Sequence, residues 1–136
     1  MSNEIRPITV DWNALVTAAT AARENAWAPF SKFKVGAALL TSDGTIYSGC
    51  NVENRTFGLT ICAERNAVTT AVADGRRDFV AVVVVTDASP PAPPCGMCRE
   101  TLVEFASELE ILSANLEGER RHYRLSEIFP EPFDGP

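Results

Sequence analysis

Three cysteines and one glutamate carry most of the chemistry available to this sequence. Cys62-Ala63-Glu64 and Pro94-Cys95-Gly96-Met97-Cys98 each open a stretch that reads as a helix. A helix N-terminus presents unpaired N–H groups and partial positive charge, which favour thiolate over thiol. The Cys-x-x-Cys spacing lets both of its sulfurs reach one metal ion, and Cys62 can supply a third. Three thiolates around Zn²⁺ leave a fourth tetrahedral position open, which separates catalytic from structural zinc. Glu64, two residues past Cys62, can face that position without ligating. Zinc lowers the pKa of a water, and a neighbouring carboxylate can shuttle its proton, so the set is equipped for hydrolysis.

Each part alone has an ordinary reading. A buried cysteine is often a small apolar residue, and Glu64 suits the first turn of any helix. Cys95-Gly96-Met97-Cys98 also has the form of a thiol-disulfide redox motif, although that reading leaves Cys62 and Glu64 unused. A structural zinc module would need a fourth protein ligand, for which Cys50 is the remaining cysteine. In the catalytic reading Cys50 is a bystander, because a fourth thiolate would close the open position. His122 is the only histidine, so mechanisms that need two are excluded.

Positioning these groups requires helices that start at the cysteines and strands that end beside them. Asp11 to Ala26 has apolar residues at helical spacing, with Asp11 as N-cap. Phe33 to Leu40 and Thr45 to Val52 read as a hairpin around Ser42-Asp43-Gly44. Cys62 to Ala73 reads as a helix closed by Gly75. Phe79 to Thr86 (FVAVVVVT) has little alternation, as a strand covered on both faces would. The loop Ser89 to Pro94 leads into a helix from Cys95 to Ala106. Strands follow at Glu110 to Ala114 and Arg120 to Arg124, then a helical turn. This order predicts an α/β sandwich with a mixed sheet. His122, within Arg120-Arg121-His122-Tyr123-Arg124, falls on an exposed edge strand whose charges oppose aggregation.

The chain has 136 residues, the size of one domain, 1–136. Hydrophobic residues make up 46% and charged residues 22%, as in ordinary globular proteins. The net charge of -6 argues against a surface that binds phosphate backbones, so neither nucleic acid nor an anionic membrane is an expected partner. The N-terminus has no basic flank leading into an apolar run, so no secretory leader is expected. The longest apolar run, Phe79 to Val85, is too short to span a bilayer. A cytoplasmic location is expected, where thiols stay reduced and serve metals or catalysis.

Taken in order, the motifs match the zinc-deaminase pattern of a Cys or His ligand, then x-Glu, then Pro-Cys-x-x-Cys. From Ala28 to Phe133 the chain resembles the small, homotetrameric, three-cysteine cytidine deaminases, through PFSKFKVGAALLTSDG, GCNVEN, CAERNA, PCGMCRE and LSEIFPEPF. The zinc motifs are shared with deaminases of tRNA adenosine, deoxycytidylate and blasticidin, and Asn51-Val52-Glu53 narrows the field to nucleosides. The resemblance implies a three-layer α/β/α sandwich with a mixed five-stranded sheet, one Zn²⁺ per chain on Cys62, Cys95 and Cys98, and Glu64 as proton shuttle. It implies deamination of cytidine and 2′-deoxycytidine in pyrimidine salvage, with blasticidin S or an N4-substituted cytidine as alternative substrates.

In the family, residues matching Asn51 and Glu53 bond the ribose 3′-hydroxyl. The resemblance further implies that Phe33 packs on the pyrimidine, that the Ala63 N–H meets its 2-oxo group, and that Phe57 and Phe133 enter a neighbouring subunit's site. Arg65 and Arg99 stand where a helix dipole disfavours cations, so they are expected to donate to the sulfurs and restore zinc's electrophilicity. Two residues depart from the family. Glu100 replaces a common Gln, and Arg55 occupies a usually small position near the nucleoside's 5′ end.

Overall fold

The computed structural model describes residues 8–135. Residues 1–7, part of the N-terminus in which no leader is expected, lie outside the described residues, as does Pro136. The helices are α1 (Trp12–Arg23), α2 (Ala63–Ala73), α3 (Gly96–Val103) and the short α4 (Leu125–Ile128). The strands are β1 (Gly36–Thr41), β2 (Ile46–Cys50), β3 (Phe79–Thr86), β4 (Glu110–Asn115) and β5 (Arg120–Arg124). They form one five-stranded sheet in the order β2-β1-β3-β4-β5, in which β3 and β4 are parallel and the other pairs antiparallel.

The sheet is covered on both faces, which gives three layers. Leu15 and Ala19 of α1 pack on Ala38, Leu40, Ala81, Val83 and Leu112. Ala67, Val68 and Ala71 of α2, Leu102 of α3 and Leu125 of α4 pack on Leu39, Val82 and Ile111 from the other side. Residues 79–86 of β3 lie at the centre, and Ala81 to Val83 are fully buried. That double coverage explains why this strand lacks an apolar-polar alternation. At the opposite extreme, β5 pairs only with β4 and is largely exposed; His122 there meets Trp12 edge-on, with ring centroids 5.1 Å apart.

One glycine sets how deeply α2 sits on the sheet, and another ends that helix. A Cβ on Gly49 would lie 2.6 Å from the Ala63 carbonyl oxygen and from the Ala67 nitrogen, so α2 can rest directly on β2 only because residue 49 has no side chain. Gly75 takes a φ of +85° after the C-cap Asp74, with Arg76 N–H donating to the Ala71 carbonyl and Gly75 N–H to that of Val72. This paired closure ends α2 where its sequence suggests.

Several boundaries differ from expectation. α1 stops at Arg23 rather than Ala26, because Trp27 N–H turns away to the Asn51 carbonyl. β1 starts at Gly36 rather than Phe33, since the Phe33 carbonyl and Val35 N–H bond to the Asn51 side chain and the Lys34 carbonyl accepts from Arg23 Nε. α3 ends at Val103 rather than Ala106, and a 3₁₀ turn at Phe57–Leu59 has no counterpart in the periodicity.

Candidate active site

Both cysteine motifs sit at helix N-termini that converge beside the C-terminal end of β3. Cys62 is the extended N-cap of α2 and Cys95 that of α3, while Cys98 lies in the first turn of α3 and is fully buried. The Sγ atoms of Cys62 and Cys95 are 3.6 Å apart, and those of Cys95 and Cys98 are 3.5 Å apart. All three lie within 4.8 Å of one another. A tetrahedral zinc with bonds of about 2.3 Å holds its sulfurs about 3.8 Å apart, so the donor set fits this ion. Three thiolates at such range would repel one another unless a cation lay among them. Cys50 ends β2 outside this cluster.

The thiol of Cys62 is held down to about 5, first by the Cys98 thiol bonded to it and further by Arg65 and Cys95, against burial that raises it. Cys98 is pushed the other way, first by the neighbouring Cys62 and then by its burial. Arg65 donates through Nη2 to the Thr60 carbonyl (3.1 Å) and to Cys62 Sγ (3.8 Å), so it touches a sulfur as its position suggests. Arg99 does not follow the same expectation. Its Nε donates to the Pro94 carbonyl and its Nη1 to the Ile128 carbonyl, both at 2.8 Å. Those two unpaired carbonyls flank the start of α3 and the end of α4, and the guanidinium ties them together instead of reaching a sulfur.

Glu64 is 4% exposed, and burial pushes its carboxyl up to about 7. A group with that pKa can both take and return a proton near neutrality. It lines a cavity of about 190 Å³ together with Phe33, Asn51, Cys62, Ala63 and Cys95. Val35, Thr60, Val84, Thr86, Ala92 and Pro93 complete the wall and were not among the residues singled out from sequence. Val84 and Thr86 read as core because they belong to the buried strand, and Ala92-Pro93 read as a connecting loop. Their common signal is position, since ligands bind at the carboxyl ends of strands in α/β sheets.

Asn51 and Glu53 stand beside this cavity as braces. Asn51 Oδ1 accepts from Val35 N–H (2.9 Å) and Nδ2 donates to the Phe33 carbonyl (2.8 Å). Glu53 Oε1 accepts from the amides of Phe30 (3.0 Å) and Ser31 (3.1 Å), and Oε2 accepts from the Ser31 hydroxyl. Ser31 first, then these amides and the Lys32 charge, hold the Glu53 carboxyl below its ordinary value. Phe57 and Phe133 do not line the cavity of their own chain; they are 73% and 79% exposed. Glu100 shares a second groove with Arg65, Met97 and Glu104.

Comparison with known proteins adds independent findings. The family model of the cytidine and deoxycytidylate deaminase zinc-binding region matches residues 10–112. A cytidine deaminase of Halalkalibacterium halodurans is 44% identical over 125 residues, covering 91% of this chain and 95% of that protein. The crystal structure of a cytidine deaminase from Burkholderia pseudomallei superposes with a TM-score of 0.88 at 45% identity, covering 91% of this chain and all of that one. A blasticidin-S deaminase of Bacillus cereus is 33% identical over 108 residues, covering 74% of this chain and 76% of that protein.

Proposed function

The chain belongs to the cytidine and deoxycytidylate deaminase family, and from that premise we propose how its residues deaminate cytidine and 2′-deoxycytidine hydrolytically to the corresponding uridines, with release of ammonia. The observation that carries the reading is the meeting of three cysteine sulfurs with the buried, proton-poised Glu64 at one cavity. Cys62, Cys95 and Cys98 would hold zinc, which would supply Lewis acidity to the attacking water.

Glu64 takes one proton of the attacking water and delivers it to N3 of the pyrimidine as the C4–O bond forms. It then takes the second proton from the hydroxyl now on C4 and passes it to the amine as the C4–N bond breaks. Ala63, the first residue of α2, has an N–H without an intrahelical partner, free to meet the base's 2-oxo group. Phe33 packs against the ring. Asn51 and Glu53 serve the ribose side, each keeping an oxygen lone pair beyond its brace. Arg65 draws charge from Cys62 and so keeps the metal electrophilic.

We extend the reading to assembly and context. Residues 1–136 act as one deaminase domain, in a homotetramer that places Phe57 and Phe133 in neighbours' sites. Its support is a set of exposed apolar groups: Phe30 meets Phe57 edge-on, and Val52 is bridged to both Trp27 and Ile61. Sedimentation of the purified protein should give four copies, and a monomer would contradict the shared site. No helix among the described residues is long and apolar enough to cross a membrane. A cytoplasmic role in pyrimidine salvage suits the free cysteines and an uncharged nucleoside.

The substrate class is tested by following turnover of cytidine, 2′-deoxycytidine, free cytosine and blasticidin S side by side. Both nucleosides should turn over with kcat/KM at least about a hundredfold above cytosine, the size of a lost set of ribose hydrogen bonds. Equal rates on free cytosine would remove Asn51 and Glu53 from substrate binding. Preference for blasticidin S would move the chain to the alternative substrate.

A further inference from the structure

Phe33 reaches the cavity from the loop between α1 and β1, without a regular element to hold it. The loop is nonetheless closely fixed. Lys32, just before Phe33, has a φ of +62°, the left-handed region that a side chain with Cβ occupies only at a cost. Such a residue persists where its surroundings over-determine it. Here the surroundings are three side chains. The Ser31 hydroxyl donates to Glu53 Oε2 and accepts from Phe33 N–H at 3.0 Å, so it spans Lys32 from one side to the other. Ser31 N–H donates to Glu53 Oε1. Asn51 takes the Phe33 carbonyl and the Val35 amide beyond it. Both backbone polar groups of Phe33 are thereby fixed, one by Ser31 and one by Asn51.

We propose that Ser31 is a positioning residue for nucleoside binding: its hydroxyl, anchored on Glu53, locks the left-handed turn at Lys32 and so presents the Phe33 ring to the base. The inference rests on the reading of Phe33 as the aromatic that packs on the pyrimidine. The hydroxyl's one proton is committed to Glu53 and a lone pair to Phe33 N–H, so replacing Ser31 by Ala severs both at once. Without that tie, Lys32 relaxes toward ordinary φ values and the ring leaves its place for part of the time. Substrate then binds only the competent fraction, and apparent affinity falls by that fraction. The chemistry at Glu64 is untouched once the substrate is seated. The signature is therefore a rise in KM with kcat preserved.

The test is steady-state kinetics of the full-length, zinc-loaded protein on cytidine. Ser31→Ala should raise KM about tenfold, consistent with loss of a hydrogen bond to a charged group, while kcat stays within about threefold. Ser31 is exposed, so zinc content and the thermal midpoint should match the wild type. Ser31→Thr keeps the hydroxyl and should keep a KM near the wild-type value. Adding Lys32→Gly to Ser31→Ala should recover most of the lost affinity, because glycine takes a positive φ freely. A wild-type KM in Ser31→Ala would overturn the proposal. So would a raised KM that Lys32→Gly leaves unchanged, or a fall in kcat at constant KM. Failure of the wild-type protein itself to turn over cytidine would instead overturn the deaminase reading beneath it.

Discussion

Glu64→Gln should lower kcat on cytidine by about 10⁴-fold, the upper end for removing one group that acts as both acid and base. Gly49 lets α2 rest on β2, which buries the first turn of that helix and with it the Glu64 carboxyl. Burial raises its pKa to about 7, so it can accept a proton from water and return it to the substrate. Glutamine keeps the shape and the hydrogen-bonding capacity but can neither accept nor deliver that proton. Because Glu64 is not among the clustered donors, bound zinc should stay at the wild-type level. The thermal midpoint should not fall, since a neutral amide costs less to bury than a carboxylate. Metal analysis and kinetics on the same preparation check both halves. Retained turnover would remove Glu64 from the mechanism, and lost zinc would make it a ligand.

Cys98→Ala should abolish both zinc binding and turnover. Cys98 is fully buried at the first turn of α3, and its sulfur lies 3.5 Å from that of Cys95. Two remaining thiolates cannot complete a site that the deaminase reading builds from three. Zinc binding contributes to folding as well, because the unfolded chain holds no preformed site. The thermal midpoint of Cys98→Ala should therefore fall to that of chelator-treated wild type. Cys50→Ser serves as the comparison and should retain both zinc and activity. Loss of zinc in Cys50→Ser, with zinc kept in Cys98→Ala, would invert the assignment and favour a structural metal module.

The candidate metal cluster was legible in the sequence because metal binding demands particular residue types at helix starts. Cys62, Glu64, Cys95 and Cys98 are close in sequence within each motif, and each motif opens a stretch that the sequence itself suggests is helical. The double-faced strand Phe79–Thr86 was equally plain, since only burial on both sides tolerates its composition. What stayed hidden depends on distant contacts. Arg99 reaches the carbonyl of Ile128, 29 positions away, and no local pattern foretells that partner. Phe33 to Val35 has the composition of a strand, yet Asn51 captures its backbone and delays β1 to Gly36. Thr60, Val84 and Thr86 become cavity wall only when β3 ends beside α2. For Asn51 and Glu53, the motif Asn51-Val52-Glu53 marked the place, while their bracing of the Phe30–Val35 loop emerged from the fold.

The central claim is that water replaces the amino group of a cytidine base at the three-cysteine site. It is tested most directly by turning over cytidine in heavy-oxygen water with the zinc-loaded wild type and examining the uridine by mass spectrometry. Each uridine should carry one heavy oxygen on C4 of its pyrimidine, with one ammonia released, and neither product should form after zinc removal. Uridine without the label, or turnover that survives complete removal of zinc, would contradict it.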